Sequence, residues 1–257
     1  MSPRACLAVF RHELRVLRRD PSTAVFVIVM PLVLAALMQR LFKGTLVAQG
    51  VTGATGAEFA VPGMAVSFAA FGIGYAGFAF FRDHGWGTWE RLRASQASSL
   101  DILVGKVAPA VGLSLIQMVV LFLLAVPLFG LSVTGSWPAL LVTVFALALC
   151  LNAFAVLLTA VARTSQQLTV FASVGGLVLA TLGGAFVPVE AMPGWAQAGS
   201  PVLPTYWAMQ GLLDVVIDGG GLLDVAGPVA ALLGFTAVFA GLAAWRFRFD
   251  EPKVYWG

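Results

Sequence analysis

The chain is constrained first by where its charges are missing. From Val107 to Ala162 there are 56 consecutive residues without an Asp, Glu, Lys, Arg or His. A helix of that length would reach about 84 Å at 1.5 Å per residue, against a hydrocarbon core about 30 Å thick. The run therefore holds two crossings, and "GLSVTGSWP" near its middle supplies the turn at 130–138. Four further uncharged runs, Pro21–Gln39, Phe59–Phe81, Leu168–Val187 and Val225–Trp245, are each long enough for one crossing. With 60% of residues hydrophobic and 11% charged, the composition lies far from the soluble balance of about 25% charged. The expected fold is an all-α integral membrane protein of six transmembrane helices, at about 22–41, 59–81, 105–130, 137–162, 168–188 and 225–245. Cys6 and Cys150 fall in a basic segment and a span, which gives no disulfide framework.

Basic residues set the direction of each crossing, because Lys and Arg stay preferentially on the cytoplasmic side. With six spans and an internal N-terminus, thirteen bases lie inside, and only Arg40 and Lys43 lie outside. The outside instead carries Glu58, Glu190, Asp214, Asp218 and Asp224. Both termini are expected in the cytoplasm, including a tail at 249–257. The net charge of +3 then reflects anchoring against membrane lipid; no long basic run or aromatic-interleaved patch points to nucleic acid.

Residues 1–20 read as an amphipathic helix in the inner interface. Leu7, Phe10, Leu14 and Leu17 recur at helical spacing, and Arg4, Arg11, Arg15 and Arg18 occupy another face. Asp20 as N-cap and Pro21 at the first helical position suit the opening of the first span. A cleaved secretory signal would need a shorter apolar run and a small-residue cleavage site.

The uncharged runs also limit the chemistry. Proton relays and most ion-coupled carriers need ionisable groups at depth, and these runs have none. Neither an aspartyl protease nor a Ser–His dyad can form, because no acid and no histidine shares the membrane with Ser114 or Ser173. There is no GxxxxGK[ST] phosphate loop, and Gly219–Gly221 reads as a flexible turn. The chain is expected to be no enzyme and to hold neither metal nor cofactor. Any uphill transport would draw its energy from another subunit.

That directs attention to the polar segment "FRDHGWGTWERLRASQASSLDILVGK", Phe81–Lys106, between the second and third spans. "GTWERLRA" can form a short helix with Trp89 and Leu92 on one side and Glu90 and Arg93 on another. "SSLD" at 98–101 is a capping-box pattern that would start the next helix. The segment reads either as a solvated loop or as a docking surface for an external engine.

The arrangement "RDHGWGTWERLRAS…SSLDILVGK" resembles the cytoplasmic segment of ABC-2 type transporter permeases, with Gly87, Thr88, Glu90, Leu92, Gly105 and Lys106 matching its pattern. The family often has Glu soon after the leading Arg, where this chain has Asp83 and His84. "FRHELRVLRRDPSTAVFVIVMPL" is similar to the family's connecting helix and first span, through Arg18, Asp20, Pro21 and Pro31. "GGAFVPVEAMPGWAQAGSPVLPTYWAMQGL" resembles the external end of span five and the re-entrant segment after it, through Gly183, Gly184, Pro188, Met192, Pro193, Trp195 and Pro204. The nearest subgroup is that of the daunorubicin-type drug-export permeases.

The resemblance implies a transmembrane domain over 21–248 that forms the pathway of an exporter for an amphipathic or apolar cargo, a drug or natural product. Its partners would be two copies of an ABC ATP-binding subunit, which hold ATP and Mg, and a second permease copy or homologous permease, in the membrane of a bacterial cell. Coupling would run through segment 82–104, at Gly87, Thr88, Trp89, Glu90, Arg91 and Leu92. Lipid or glycan-precursor export by the same machinery, and a non-transporting scaffold or assembly factor, are the alternatives.

The family places spans two and five along the substrate route. In span five, Ala172, Gly176, Ala180 and Gly184 repeat every four residues, a small-residue stripe that lets another helix approach closely. In span two, Phe68, Phe71, Tyr75 and Phe78 follow helical spacing and read either as contacts for apolar cargo or as packing. Asn152 reads as an interhelical hydrogen-bond donor. In the external segment 189–224, Pro193, Pro201 and Pro204 break any long helix, and Trp195, Tyr206 and Trp207 suit the outer interface. There the chain would line the exit, cap the interface, or both.

Overall fold

A computed structural model describes residues 3–19, 21–48, 50, 53–95 and 97–246. The expected N-cap Asp20 and the tail 249–257 lie outside the described residues. Among the described residues the chain is helical throughout: α1 (Pro3–Arg19), α2 (Pro21–Ala48), α3 (Ala57–Phe71), α4 (Ile73–Gly85), α5 (Trp89–Arg93), α6 (Ser99–Phe129), α7 (Trp137–Val161), α8 (Ser165–Leu182), α9 (Gly194–Gly199), α10 (Pro204–Val216) and α11 (Ala226–Arg246). Six stretches are long and apolar enough to cross a membrane: α2 from Val27, α3 with α4, α6, α7, α8 and α11.

The helices outrun the uncharged runs that located them. Backbone hydrogen bonding continues where the hydrocarbon ends, so α2 extends to Ala48 and carries Arg40 and Lys43. Likewise α4 extends to Gly85 with Arg82 and Asp83, and α6 begins at Ser99, placing Lys106 in its third turn. The expectation that these helices hold no ionisable group is corrected at their ends. Their uncharged middles stand as read. Span two is divided at Gly72, where Tyr75 N–H donates to the Gly72 carbonyl three residues back (3.0 Å).

Burial sorts the helices. All of α3 from Ala57 to Ala70 is buried, which makes it the central helix; Phe71 alone at its end is exposed. By contrast α2 presents Val25, Val29, Val33, Leu37 and Leu41 outward, the apolar surface a lipid solvent demands. At the end remote from α1, Pro188–Val216 folds back as short helices, and α10 buries Ala208, Met209, Leu212, Val215 and Val216 in the core. Hydroxyls tie this end down: Ser200 donates to the Leu182 carbonyl (2.7 Å), Thr205 to Leu179 (2.6 Å) and Thr134 to Val216 (3.0 Å). Gly219–Gly221 is no loose turn here, since Ser136 N–H donates to the Gly220 carbonyl at 3.1 Å.

Candidate functional site

The polar segment between spans two and three is built from local devices and then pinned by apolar ones. Helix α4 ends at Gly85, and Gly87 takes a left-handed conformation (φ +65°) that reverses the chain. Thr88 then turns back on Asp83, its N–H donating to the Asp83 carbonyl (3.0 Å) and its hydroxyl to Oδ1 (3.1 Å). The sequence from Ser98 makes the expected capping box: Asp101 N–H donates to Ser98 Oγ, and Ser98 N–H to Asp101 Oδ2 (3.0 Å). Between these two turns, α5 lays Trp89 (5% exposed) against Phe80 and Ile102, with Leu92 beside them. His84 stacks on Trp89 at 4.5 Å between ring centres. Glu90 and Arg91 are left exposed, so the helix has the apolar and polar sides its sequence spacing implies.

Directly beneath lies a cluster the sequence reading did not assemble. The Lys106 side chain is fully buried, and its ammonium has three donors to satisfy. Around it stand Glu13 Oε1 at 2.9 Å, Asp83 Oδ2 at 2.5 Å and the Ala79 carbonyl at 3.0 Å. The second oxygen of Glu13 pairs with Arg82, whose guanidinium also lies 5.4 Å from the Trp86 ring centre. Two acids and two bases balance, and they come from three helices: α1, α4 and α6. In the low dielectric of a helix bundle, each charge is offset chiefly by the others.

Close backbone approach makes these pairs reachable. A side-chain carbon at Gly105 would come within 2.7 Å of Val9 Cβ, so α1 is pressed against α6 one residue before Lys106. The face of α1 that meets α6 is Cys6, Val9 and Glu13; Leu7 is 45% exposed. The signals available in the sequence were faint. Glu13 is the one acid among the five arginines of residues 1–19, and Lys106 is a solitary base at the mouth of a long uncharged run.

A cleft of ≈ 480 Å³ opens between α1 and α5 over this cluster, lined by Val9, His12, Glu13, Thr88, Arg91 and Lys106 among others. A smaller cavity of ≈ 40 Å³ joins the same charges to the aromatic stripe of span two, through Tyr75 and Phe78. Of that stripe, Phe71 and Phe78 are exposed, Tyr75 is half-buried, and Phe68 is buried edge-on to Phe71 at 6.1 Å. The small-residue stripe of span five meets its helix within this chain. Ala172, Gly176 and Ala180 are buried, and a side-chain carbon at Gly176 would lie 2.8 Å from the Ala70 carbonyl oxygen of α3. Gly184 follows the end of α8 in a left-handed turn, and the opposite face of α8 exposes Val170, Val174 and Leu177. Asn152 donates to Ser114 across α7 and α6 at 3.3 Å, the interhelical bond its depth suggested.

Comparison with known proteins follows the same lines. The chain is 30% identical over 162 residues to the "Linearmycin resistance permease protein LnrN" of Bacillus subtilis (strain 168). That match covers 62% of this chain and 42% of the relative, so the chain matches less than half of the relative's length. The model of the ABC-2 type transporter family matches residues 4–217, from α1 through α10 and thus across both the ion cluster and the fold-back end, and the chain belongs to that family.

Proposed function

We propose that this multi-pass cell-membrane protein is the membrane half of an ATP-driven exporter, and that a separate ATP-binding subunit docks on the face formed by α1, α5 and the start of α6. In this reading that face and both termini are cytoplasmic, as the thirteen-to-two distribution of basic residues supports. Helix α1 lies in the inner interface with Leu7 toward lipid. Two ATP-binding subunits supply ATP and Mg chemistry, and two permeases enclose the route. The cargo class, an amphipathic or apolar drug or natural product, is supported by the relative's name as a resistance permease and by Phe71 and Phe78 being open to the surroundings.

The observation that carries the reading is the buried cluster Glu13–Arg82–Asp83–Lys106 beneath the exposed Glu90 and Arg91. A push received on α5 reaches α4 through the Thr88–Asp83 bond, and reaches α1 and α6 through Lys106. Four helices are joined there by groups that cannot be separated without exposing charge.

The test is a pull-down of the tagged chain from its native membranes, read for co-purifying ATPase subunit and for export. Glu90→Ala changes stability by about 0.5 kcal/mol or less, as an exposed substitution. It nonetheless lowers ATPase recovery and export by more than tenfold, since truncating one partner of a charged contact costs about 2–5 kcal/mol. Trp89→Ala weakens recovery through the apolar side. Recovery and export equal to the parent in both variants would show that α5 is not where an ATP-binding subunit docks.

A further inference from the structure

The ≈ 40 Å³ cavity beside the ion cluster adjoins polar groups that the helices do not pair among themselves. It is walled by Tyr75, Ala79 and Arg82 of α4, by Pro109 and Ala110 of α6, and by Glu13 and Lys106 of the cluster. The Arg82 guanidinium bonds Glu13 through Nη2, and its Nε–H is a separate donor to satisfy. That nitrogen is buried and has no acceptor among the described residues. A matching acceptor comes from the backbone of α6. Pro109 stands inside that helix without an N–H, so the helical ladder gives no donor to the Gly105 carbonyl four residues before it. Gly105 is buried, and its carbonyl points along the axis toward the proline that walls the cavity. One small space thus has an unpaired donor on α4 and an unpaired acceptor on α6.

Charge and size limit what can fill it. Glu13 and Asp83 already balance Arg82 and Lys106, so an ion of either sign would add a charge with no counterpart. An apolar occupant, such as a lipid chain, would leave the donor and the acceptor unpaired. Water meets both requirements: about 10–15 Å³ is enough to hold one molecule, and a buried water makes about three hydrogen bonds to groups otherwise unsatisfied. Backbone carbonyls freed by a proline within a membrane span are met in this way, by ordered water among other partners. We infer that this cavity binds ordered water, which accepts from Arg82 Nε–H and donates to the Gly105 carbonyl. The charged junction of α1, α4 and α6 is then a hydrated one, with the water as part of its structure.

The test uses the full chain in lipid nanodiscs, exposed to a brief X-ray pulse that splits water into hydroxyl radicals, with side-chain oxidation then mapped by mass spectrometry. Radicals formed inside the cavity attack the tyrosine ring that walls it. Tyr75 therefore oxidises faster in the parent than Phe122, a fully buried ring of α6 that does not line the cavity. Ala110→Leu fills the cavity and lowers Tyr75 oxidation to the level of Phe122. Equal oxidation of Tyr75 and Phe122 in the parent overturns the inference. So does an unchanged Tyr75 rate in folded Ala110→Leu, because the radicals then come from elsewhere. If that variant fails to fold, a high-resolution electron cryomicroscopy map of the parent carries the test. It should show isolated density within hydrogen-bonding distance, about 2.7–3.2 Å, of both Arg82 Nε and the Gly105 oxygen. No density there, or density continuous enough for an acyl chain, sinks the assignment.

Discussion

The two ends of the helix bundle are fastened by opposite chemistry. At the α1 end, Glu13, Arg82, Asp83 and Lys106 hold three helices together by charge, and removing any one leaves another unbalanced. At the α10 end, Ser200, Thr205 and Thr134 each donate a neutral hydroxyl to a backbone carbonyl of a neighbouring segment. A neutral bond of that kind contributes about 1 kcal/mol and does not depend on a partner's charge. A buried ion pair contributes little net stability but is costly to break by halves. One end is therefore held by bonds independent of charge, and the other by charges that depend on one another.

The widest separation between the ends is expected from Lys106→Met. It leaves Glu13 and Asp83 buried without their shared cation, and the chain should lose about 3–5 kcal/mol. Thermal unfolding of the detergent-purified protein reads this directly. Adding Glu13→Gln to Lys106→Met should recover part of the loss; a melting point equal to the parent's in the single variant would show that the cluster is not bearing on the fold. Thr205→Val probes the other end. It keeps the shape packed against Gly183 and removes one hydroxyl bond to Leu179, whose carbonyl still accepts from Gly183 N–H at 3.0 Å. The expected cost is about 1 kcal/mol. A cost as large as that of Lys106→Met would erase the distinction.

The smallest effect concerns Asp214 in α10. Burial first, then the nearby charges of Asp218 and Asp224, raise its pKa above the usual carboxylate value. The folded state therefore binds its proton more tightly than the unfolded chain does. Stability from this group is fully present below the unfolded pKa of about 3.9 and is lost as pH rises through the elevated folded value. Asp214→Asn should remove that slope and melt slightly higher than the parent at neutral pH. An identical pH profile in parent and variant would show that neither burial nor the neighbouring acids bears on Asp214.

Sequence and structure agree where the controlling interaction is local. Six crossings followed from the uncharged runs, the Ser98–Asp101 capping box from four residues, and the two sides of α5 from the spacing of Trp89, Glu90 and Leu92. What escaped was long-range pairing. Glu13 meets Lys106 across 93 residues and Arg82 across 69, and a single sequence carries no mark that joins them. Hydrophobicity misplaced the helix ends for a related reason: it reports the depth of the hydrocarbon, while the ladder of backbone bonds continues into polar surroundings. The stripe Ala172–Gly176–Ala180 was read as a site of close helix approach, and the approach exists, to α3 of the same chain. Spacing indicates that a helix can come near without naming which.

Those 93 residues between Glu13 and Lys106 also set an order of events during synthesis. A chain is made from its N-terminus at about 5–20 residues per second, so Glu13 waits several seconds for Arg82 and longer for Lys106. The turn at Gly87 and the capping box at Ser98 need only neighbours and close within microseconds of leaving the ribosome. Glu13 can meet Arg82 first, 69 residues on, and Lys106 only once the third span has begun, so α1 gains its charged partners in two steps.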